Sequence, residues 1–219
     1  MIAFFDFDKT LISINSGSLW VKRELKLGFL SWWDAIRASL WIAQYQIGFV
    51  ELDKGVRAII ASLEGSRESE LRNRVDTFYA EQVRGLYRPG ARPVIEEHRK
   101  AGDKLVLLTS TSIYMAEAVA RELAFDDTLC NRFEVDAAGV YTGRPLGEIC
   151  YGRGKLTIAR SYAERLGVDL GACAFYTDSM ADSSLLEEVG RPVAVNPDPR
   201  LRRLARARGW QIADWGLPG

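Results

Sequence analysis

Ile2-Ala3-Phe4-Phe5-Asp6-Phe7-Asp8-Lys9-Thr10-Leu11 sets the reading of this 219-residue chain. Four successive apolar residues leave no polar face, so the segment reads as a strand covered on both sides, as in a parallel sheet between helices. Similar apolar runs recur at Lys104 to Leu108, Ala172 to Tyr176 and Pro192 to Val195. Helical segments separate them: Ala91 to Lys100, stopped by Ala101-Gly102, then Ala116 to Leu123, Gly154 to Leu166 and Ser183 to Val189. Strand and helix in alternation predict an α/β fold, a Rossmann-like doubly wound parallel sheet with helices on both faces.

Between Ser13 and Arg88 the alternation stops, and the segment reads as several helices without a strand. The expected organisation is an α/β core built from residues 1–12 and 89–219, interrupted by an all-helical cap domain over 13–88. Within the insertion Trp33, Ile36, Leu40, Ala43 and Ile47 step by three and four, drawing one apolar stripe that Trp32, Trp41 and Tyr45 widen. The expectation for that stripe is the core of a small helical bundle. Gly85 to Gly90 reads as the hinge back into the core. Phe133-Glu134-Val135 and Val140-Tyr141-Thr142, around Asp136-Ala137-Ala138-Gly139, predict a β-hairpin beside the main sheet. After Pro197, Arg200, Arg202, Arg203, Arg206 and Arg208 alternate with Leu201, Leu204 and Ala205, as on a solvated helix.

Composition narrows the partner. Lysine plus arginine (29) equals aspartate plus glutamate (29), which disfavours nucleic acid or an anionic membrane and favours a small molecule. Leu30 to Val50 is apolar but broken by Asp34, Arg37, Gln44 and Gln46, so a soluble helix is expected and no integral membrane segment. Cys130, Cys150 and Cys173 lack the spacing of a zinc site or disulfide framework and read as reduced core residues. With no basic leader ahead of the first strand, the cytoplasm is the expected compartment. His98, among Glu96, Glu97, Arg99 and Lys100, reads as a solvated residue, and as the one histidine it leaves no Ser-His-Asp arrangement.

Ligands of an open parallel sheet sit beyond the carboxyl ends of the strands. There the first strand delivers Asp6, Asp8 and Thr10, the second Thr109-Ser110, and the third Asp178 with Asp182 four residues on; Lys155 opens a later helix. Carboxylates gathered at one edge repel unless a cation neutralises them, and an all-oxygen set suits magnesium. Because magnesium keeps positions for phosphate oxygens, this favours phosphoryl chemistry. A turn after Asp6 lets two carboxylates take two jobs, one attacking phosphorus and the other passing a proton to the leaving oxygen. Lys155 and Ser110 are placed to stabilise phosphoryl oxygens.

These residues together resemble the haloacid dehalogenase superfamily. Asp6-Phe7-Asp8-Lys9-Thr10 matches its Asp-x-Asp-x-Thr motif, Ser110 its strand-ending hydroxyl, Lys155 its lysine, and Asp178-Ser179-Met180-Ala181-Asp182 its final acidic motif. The helical insertion is similar to the cap of the subgroup that includes phosphoserine phosphatase. The resemblance implies Asp6 as nucleophile and metal ligand, and Asp8 as acid, base and carbonyl ligand. It implies Asp178 as a metal ligand, Asp182 in support of the metal site or of Lys155, and Ser110, Lys155 and Thr10 at the phosphate. The activity it implies is hydrolysis of a small phosphomonoester, possible substrates including phosphoserine, through an aspartyl phosphate with Mg2+. Where phosphoserine enzymes place a cap glutamate, this chain reads Ser13-Ile14-Asn15-Ser16, while Arg57 is a candidate partner for a substrate carboxylate. The aromatics from Trp20 to Phe49 suit a larger or more apolar substrate. Transfer of the phosphoryl group to an alcohol, or a phosphorylation-dependent signalling module, are the alternatives.

Overall fold

The computed structural model describes residues 1–29, 31–33, 36, 40 and 52–218. Strand β1 (Ile2–Phe5) is followed by helices α1 (Ser16–Lys26), α2 (Leu52–Ala61), α3 (Glu68–Phe78) and α4 (Ala91–Lys100). Next come β2 (Lys104–Ser112), α5 (Ile113–Leu123), β3 (Asp127–Asn131) and the hairpin β4 (Phe133–Val135) and β5 (Tyr141–Pro145). The chain closes with α6 (Arg153–Arg165), β6 (Ala174–Thr177), α7 (Ser183–Leu186), β7 (Arg191–Val195), α8 (Pro199–Arg208) and β8 (Gln211–Ala213).

The main sheet has the order β3-β2-β1-β6-β7-β8, and every pairing in it is parallel. Because β1 lies in the middle, its side chains alternate between two cores. Ala3 and Phe5 pack with Leu105 and Leu107 on one face, and Ile2 and Phe4 pack with Val106 and Leu108 on the other. The expected doubly wound sheet is therefore present.

The two edge strands, β3 and β8, are not read as strands from the sequence. Asp127-Thr128-Leu129-Cys130-Asn131 and Gln211-Ile212-Ala213 are short and half polar, as edge strands are. The hairpin forms with the expected strands, but it also pairs with the helical insertion. Tyr141 N–H donates to the Ser66 carbonyl at 3.0 Å, Gly65 N–H returns to the Tyr141 carbonyl at 3.0 Å, and Arg67 bridges Val140.

The insertion leaves and re-enters the core through one antiparallel bridge, Ile12 to Tyr87. Arg88 N–H to the Leu11 carbonyl (2.8 Å) and Ser13 N–H to the Leu86 carbonyl (3.1 Å) flank it. Helix α1 is capped by the Asn15 side chain, which accepts from Ser18 N–H at 2.9 Å. It docks on α3 through the buried Glu24, paired with Arg74, and through Trp20, edge-on to Phe78 at 5.2 Å. The apolar stripe does not wholly lie in a bundle core: Trp33 is 70% exposed and Leu40 57%, with Trp32 at 65% beside them. Spacing by three and four shows that residues share a face, not what covers it. Ala43, Ile47, Trp41 and Tyr45 lie outside the described residues. Among the described residues, no helix is long and apolar enough to cross a membrane.

The C-terminal arginines sit on the exposed face of α8, with Leu201 and Ala205 buried beneath, as the alternation predicts. The three cysteines are buried and free, also as predicted. His98 is a correction, because it is buried. Its Nδ1 lies 2.7 Å from an Asp103 oxygen and its Nε2 2.8 Å from the Tyr176 hydroxyl. A carboxylate only accepts, so Nδ1 carries the proton.

Candidate active site

The site is built where β1 ends. Asp6 N–H donates to the Tyr176 carbonyl at 2.9 Å, the last bond of the β1–β6 ladder. The chain then turns sharply through Phe7–Leu11, with Lys9 in the left-handed region at φ 57°. Buried Phe7 and Leu11 anchor the turn in the core. Arg88, returning from the insertion, fastens it by donating Nε to the Lys9 carbonyl at 3.1 Å and Nη1 to the Gly216 carbonyl at 2.5 Å. The turn sends the two carboxylates apart. That of Asp6 meets Lys155, while that of Asp8 accepts the Ser16 N–H at the start of α1 at 2.7 Å.

Lys155 comes from the first turn of α6. Gly154, just before it, runs so close to the Ile149 carbonyl that a Cβ would collide with it. The Lys155 side chain is buried, and its Nζ lies 2.8 Å from Asp6 Oδ1 and 2.9 Å from Asp182 Oδ2. Asp182 Oδ2 also accepts the Thr177 hydroxyl at 2.7 Å. Thr10 is fully buried, and its hydroxyl accepts Asp178 N–H at 3.0 Å and donates toward Asp178 Oδ1 at 3.4 Å. Asp198 braces the same loop: its carboxylate accepts Met180 N–H at 2.7 Å and caps α8 through Arg200 and Leu201.

Burial drives the ionisation of this cluster. It pushes Asp6 up to about 7, against the pull of Lys155 and with repulsion from Asp182 added. Burial, then Asp6 and Asp182, hold Asp178 well above the ordinary carboxylate range. Asp8 is also raised by burial, against the Ser16 hydrogen bond. Lys155 is held well above its ordinary value, because the charges of Asp182 and Asp6 outweigh its burial. Crowded, desolvated carboxylates of this kind fit a hard divalent cation, and the donors are all oxygen.

The sequence expects Asp6, Asp178, Asp182 and, through its carbonyl, Asp8 at a metal. Among the described residues, no three His, Cys, Asp or Glu side chains form a group able to hold a metal. Asp182 is engaged by Lys155 and Thr177, and the Asp8 carboxylate by α1. Thr10, which the sequence expects at the phosphate, has its hydroxyl enclosed and bonded to Asp178 twice.

Asp8 and Ser110 face a cavity of about 300 Å³ between the sheet edge and the insertion. The Ser110 carbonyl accepts Asn131 Nδ2 at 2.6 Å, and Asn131 Oδ1 accepts Cys150 N–H at 2.8 Å, tying the β2 and α6 approaches together. Asn131 escapes a reading of the sequence because β3 itself does. Helix α2 gives Val56, Ile59 and Ile60 to the cavity, and Arg57 on the same helix is exposed.

Comparison with known proteins identifies the family. A family model described as haloacid dehalogenase-like hydrolase matches residues 3–187. A Mycobacterium tuberculosis protein named phosphoserine phosphatase SerB1 is 34% identical over 219 residues, 98% of this chain and 71% of the relative. A Neisseria meningitidis protein named histidinol-phosphatase is 29% identical over 98% of both chains. A crystal structure of a protein of unknown function from Bordetella pertussis Tohama I is similar at TM-score 0.87 and 30% identity, covering 98% of each chain. This chain belongs to the haloacid dehalogenase-like hydrolase family and is an enzyme of its phosphatase type.

Proposed function

We propose that the protein hydrolyses a small phosphomonoester through phosphorylation of Asp6, with magnesium as cofactor. The observation that carries this reading is the separation of the two carboxylates: Asp6 is held by Lys155, and Asp8 faces the cavity from the other side of the turn. Asp6 attacks phosphorus, forming an acyl phosphate as the bond to the substrate oxygen breaks. Asp8, with its carboxyl raised by burial, gives its proton to that leaving oxygen. The same carboxylate then takes a proton from water as the water attacks phosphorus, which frees inorganic phosphate and returns Asp6. Lys155 and Ser110 hold the phosphoryl oxygens through both steps. Asp6, Asp178 and the Asp8 carbonyl would hold the magnesium, which would supply positive charge beside the phosphoryl group.

Residues 13–88 act in this reading as a cap that excludes bulk water from the cavity. The free, buried cysteines suit a reducing compartment, and we place the enzyme in the cytoplasm. The names phosphoserine phosphatase and histidinol-phosphatase among the relatives support phosphomonoester chemistry. The test is phosphate release from a panel of esters, with and without magnesium, by the parent, Asp6→Asn and Asp8→Asn. Dependence on magnesium and on both aspartates is expected. Undiminished turnover by Asp6→Asn sinks the covalent route.

A further inference from the structure

The cavity at Asp8 and Ser110 divides by chemistry along its length. Its polar lining gathers around Asp8, from Asn15 and Ser16 at the start of α1 to Ser110 and Asn131 at the sheet edge. The rest is apolar, with Trp20 from α1, Ile60 from α2, and Val75 and Phe78 from α3 facing Met115 and Phe133. Among the described residues that line it, none is Lys, Arg, His or Glu, and Asp8 is the one acid. Ile59 both lines the cavity and stands 50% exposed, so the apolar wall continues to the surface.

That lining sets what can leave with the substrate oxygen. An alcohol bearing an ammonium and a carboxylate would lose its hydration of both charges to a wall whose described residues offer the carboxylate no cationic partner. An uncharged hydrocarbon group loses nothing there and is drawn out of water. The volume of about 300 Å³ is that of a small ligand site.

Resting on the phosphatase reading above, we infer that the substrate is an alkyl phosphomonoester. Its uncharged, apolar alcohol portion lies between Trp20, Ile60 and Phe78, and its phosphate lies at Asp8 and Ser110. The apolar contacts are made equally before and during reaction, so they act mainly through KM.

The test uses the full chain with magnesium and the series ethyl, butyl and hexyl phosphate as monomers, beside phosphoserine. Their leaving oxygens are alike, so chain length reports the cavity. The expected result is a rise in kcat/KM toward the limit of about fourfold per methylene set by full burial. Hexyl phosphate is expected to exceed phosphoserine by at least about tenfold on the same reasoning. Val56→Asp is expected to shrink the hexyl-to-ethyl ratio, and Ile59→Asp, at a half-exposed position, provides the same readout if the first variant does not fold. A flat series, or preference for phosphoserine, overturns the inference. Calorimetry with ethyl and hexyl phosphonate decides it without turnover: tighter binding of the hexyl compound supports it and equal binding refutes it. Absence of Asp6-dependent phosphate release from every ester would instead refute the phosphatase reading.

Discussion

Lys155 Nζ lies 2.8 Å from Asp6 Oδ1, a contact that joins the first turn of α6 to the end of β1 across 149 residues of sequence. Both side chains are buried, and Asp182 shares the ammonium. Lys155→Met would remove the charge that opposes burial at Asp6 and leave two carboxylates facing each other. Losing one member of a buried pair costs about 3–5 kcal/mol before the remaining acid takes up a proton, which returns part of the loss. Phosphate release is expected to fall about 10²- to 10³-fold, as when one preorganised donor to a transition state is lost. Lys155→Arg is expected to rescue little, because a planar guanidinium cannot replace a compact ammonium in an enclosed site. Steady-state rates and Tm for the two variants check this.

The central strands were legible because burial on both faces forces unbroken apolar runs, as in Ile2 to Phe5. The edges were not, since β3 and β8 mix polar residues into short segments. The gathering of these side chains was legible too: the order of acidic, hydroxyl and lysine positions along the chain placed Asp6, Asp178, Asp182 and Lys155 together, as the structure does. The contacts each makes were legible for Asp182, read at the metal site or the lysine, but not for Thr10, because they depend on partners. Thr10 turns to Asp178, and Asp182 to Lys155 and Thr177. His98 shows a signal overlooked. Its neighbours are charged, yet it follows Ala91 and Ile95 at steps of four and three, and all three face the core.

Asp103 makes the acid stability of this core testable. Burial pushes its carboxyl up, but hydrogen bonds from the N-terminal ammonium and His98 outweigh it and hold the group below its ordinary 3.8. A depressed carboxylate contributes stability in full above its unfolded value, and that contribution disappears as pH falls through the folded value. Tm of the parent is therefore expected to exceed that of Asp103→Asn by a constant margin at neutral pH. The margin should shrink below about pH 4, the unfolded range of an aspartate. Paired melting curves from pH 3 to 7 check it, and a margin that widens on acidification would contradict this account.

Gly154 couples backbone packing to the site. A Cβ there would meet the Ile149 carbonyl, which is backbone and cannot rotate away. Gly154→Ala must displace the start of α6 or the Ile149 turn, a form of overpacking that costs about 1–3 kcal/mol. Lys155 is the next residue, so phosphate release should fall with stability. Gly139→Ala, in the hairpin turn where a Cβ meets nothing, is expected to spare the rate while its positive φ of 76° costs some stability. Comparing the two variants separates a displaced lysine from a general loss of folding.

Thr10 supports Asp178 from beneath. Its hydroxyl accepts the Asp178 N–H at 3.0 Å and donates toward the carboxylate at 3.4 Å, and its side chain is wholly enclosed. Thr10→Val keeps the shape but leaves that buried N–H without its acceptor, at a cost of about 1–3 kcal/mol. Asp178 would also lose the contact that orients it, so the magnesium concentration giving half-maximal rate is expected to rise, with little change in KM for the ester. Thr10→Ser retains the hydroxyl and should recover most of the magnesium dependence while forfeiting the methyl packing. A magnesium titration of parent, Val and Ser variants separates the two roles. A valine variant that lowers Tm but leaves the magnesium midpoint unmoved would reduce Thr10 to a packing residue.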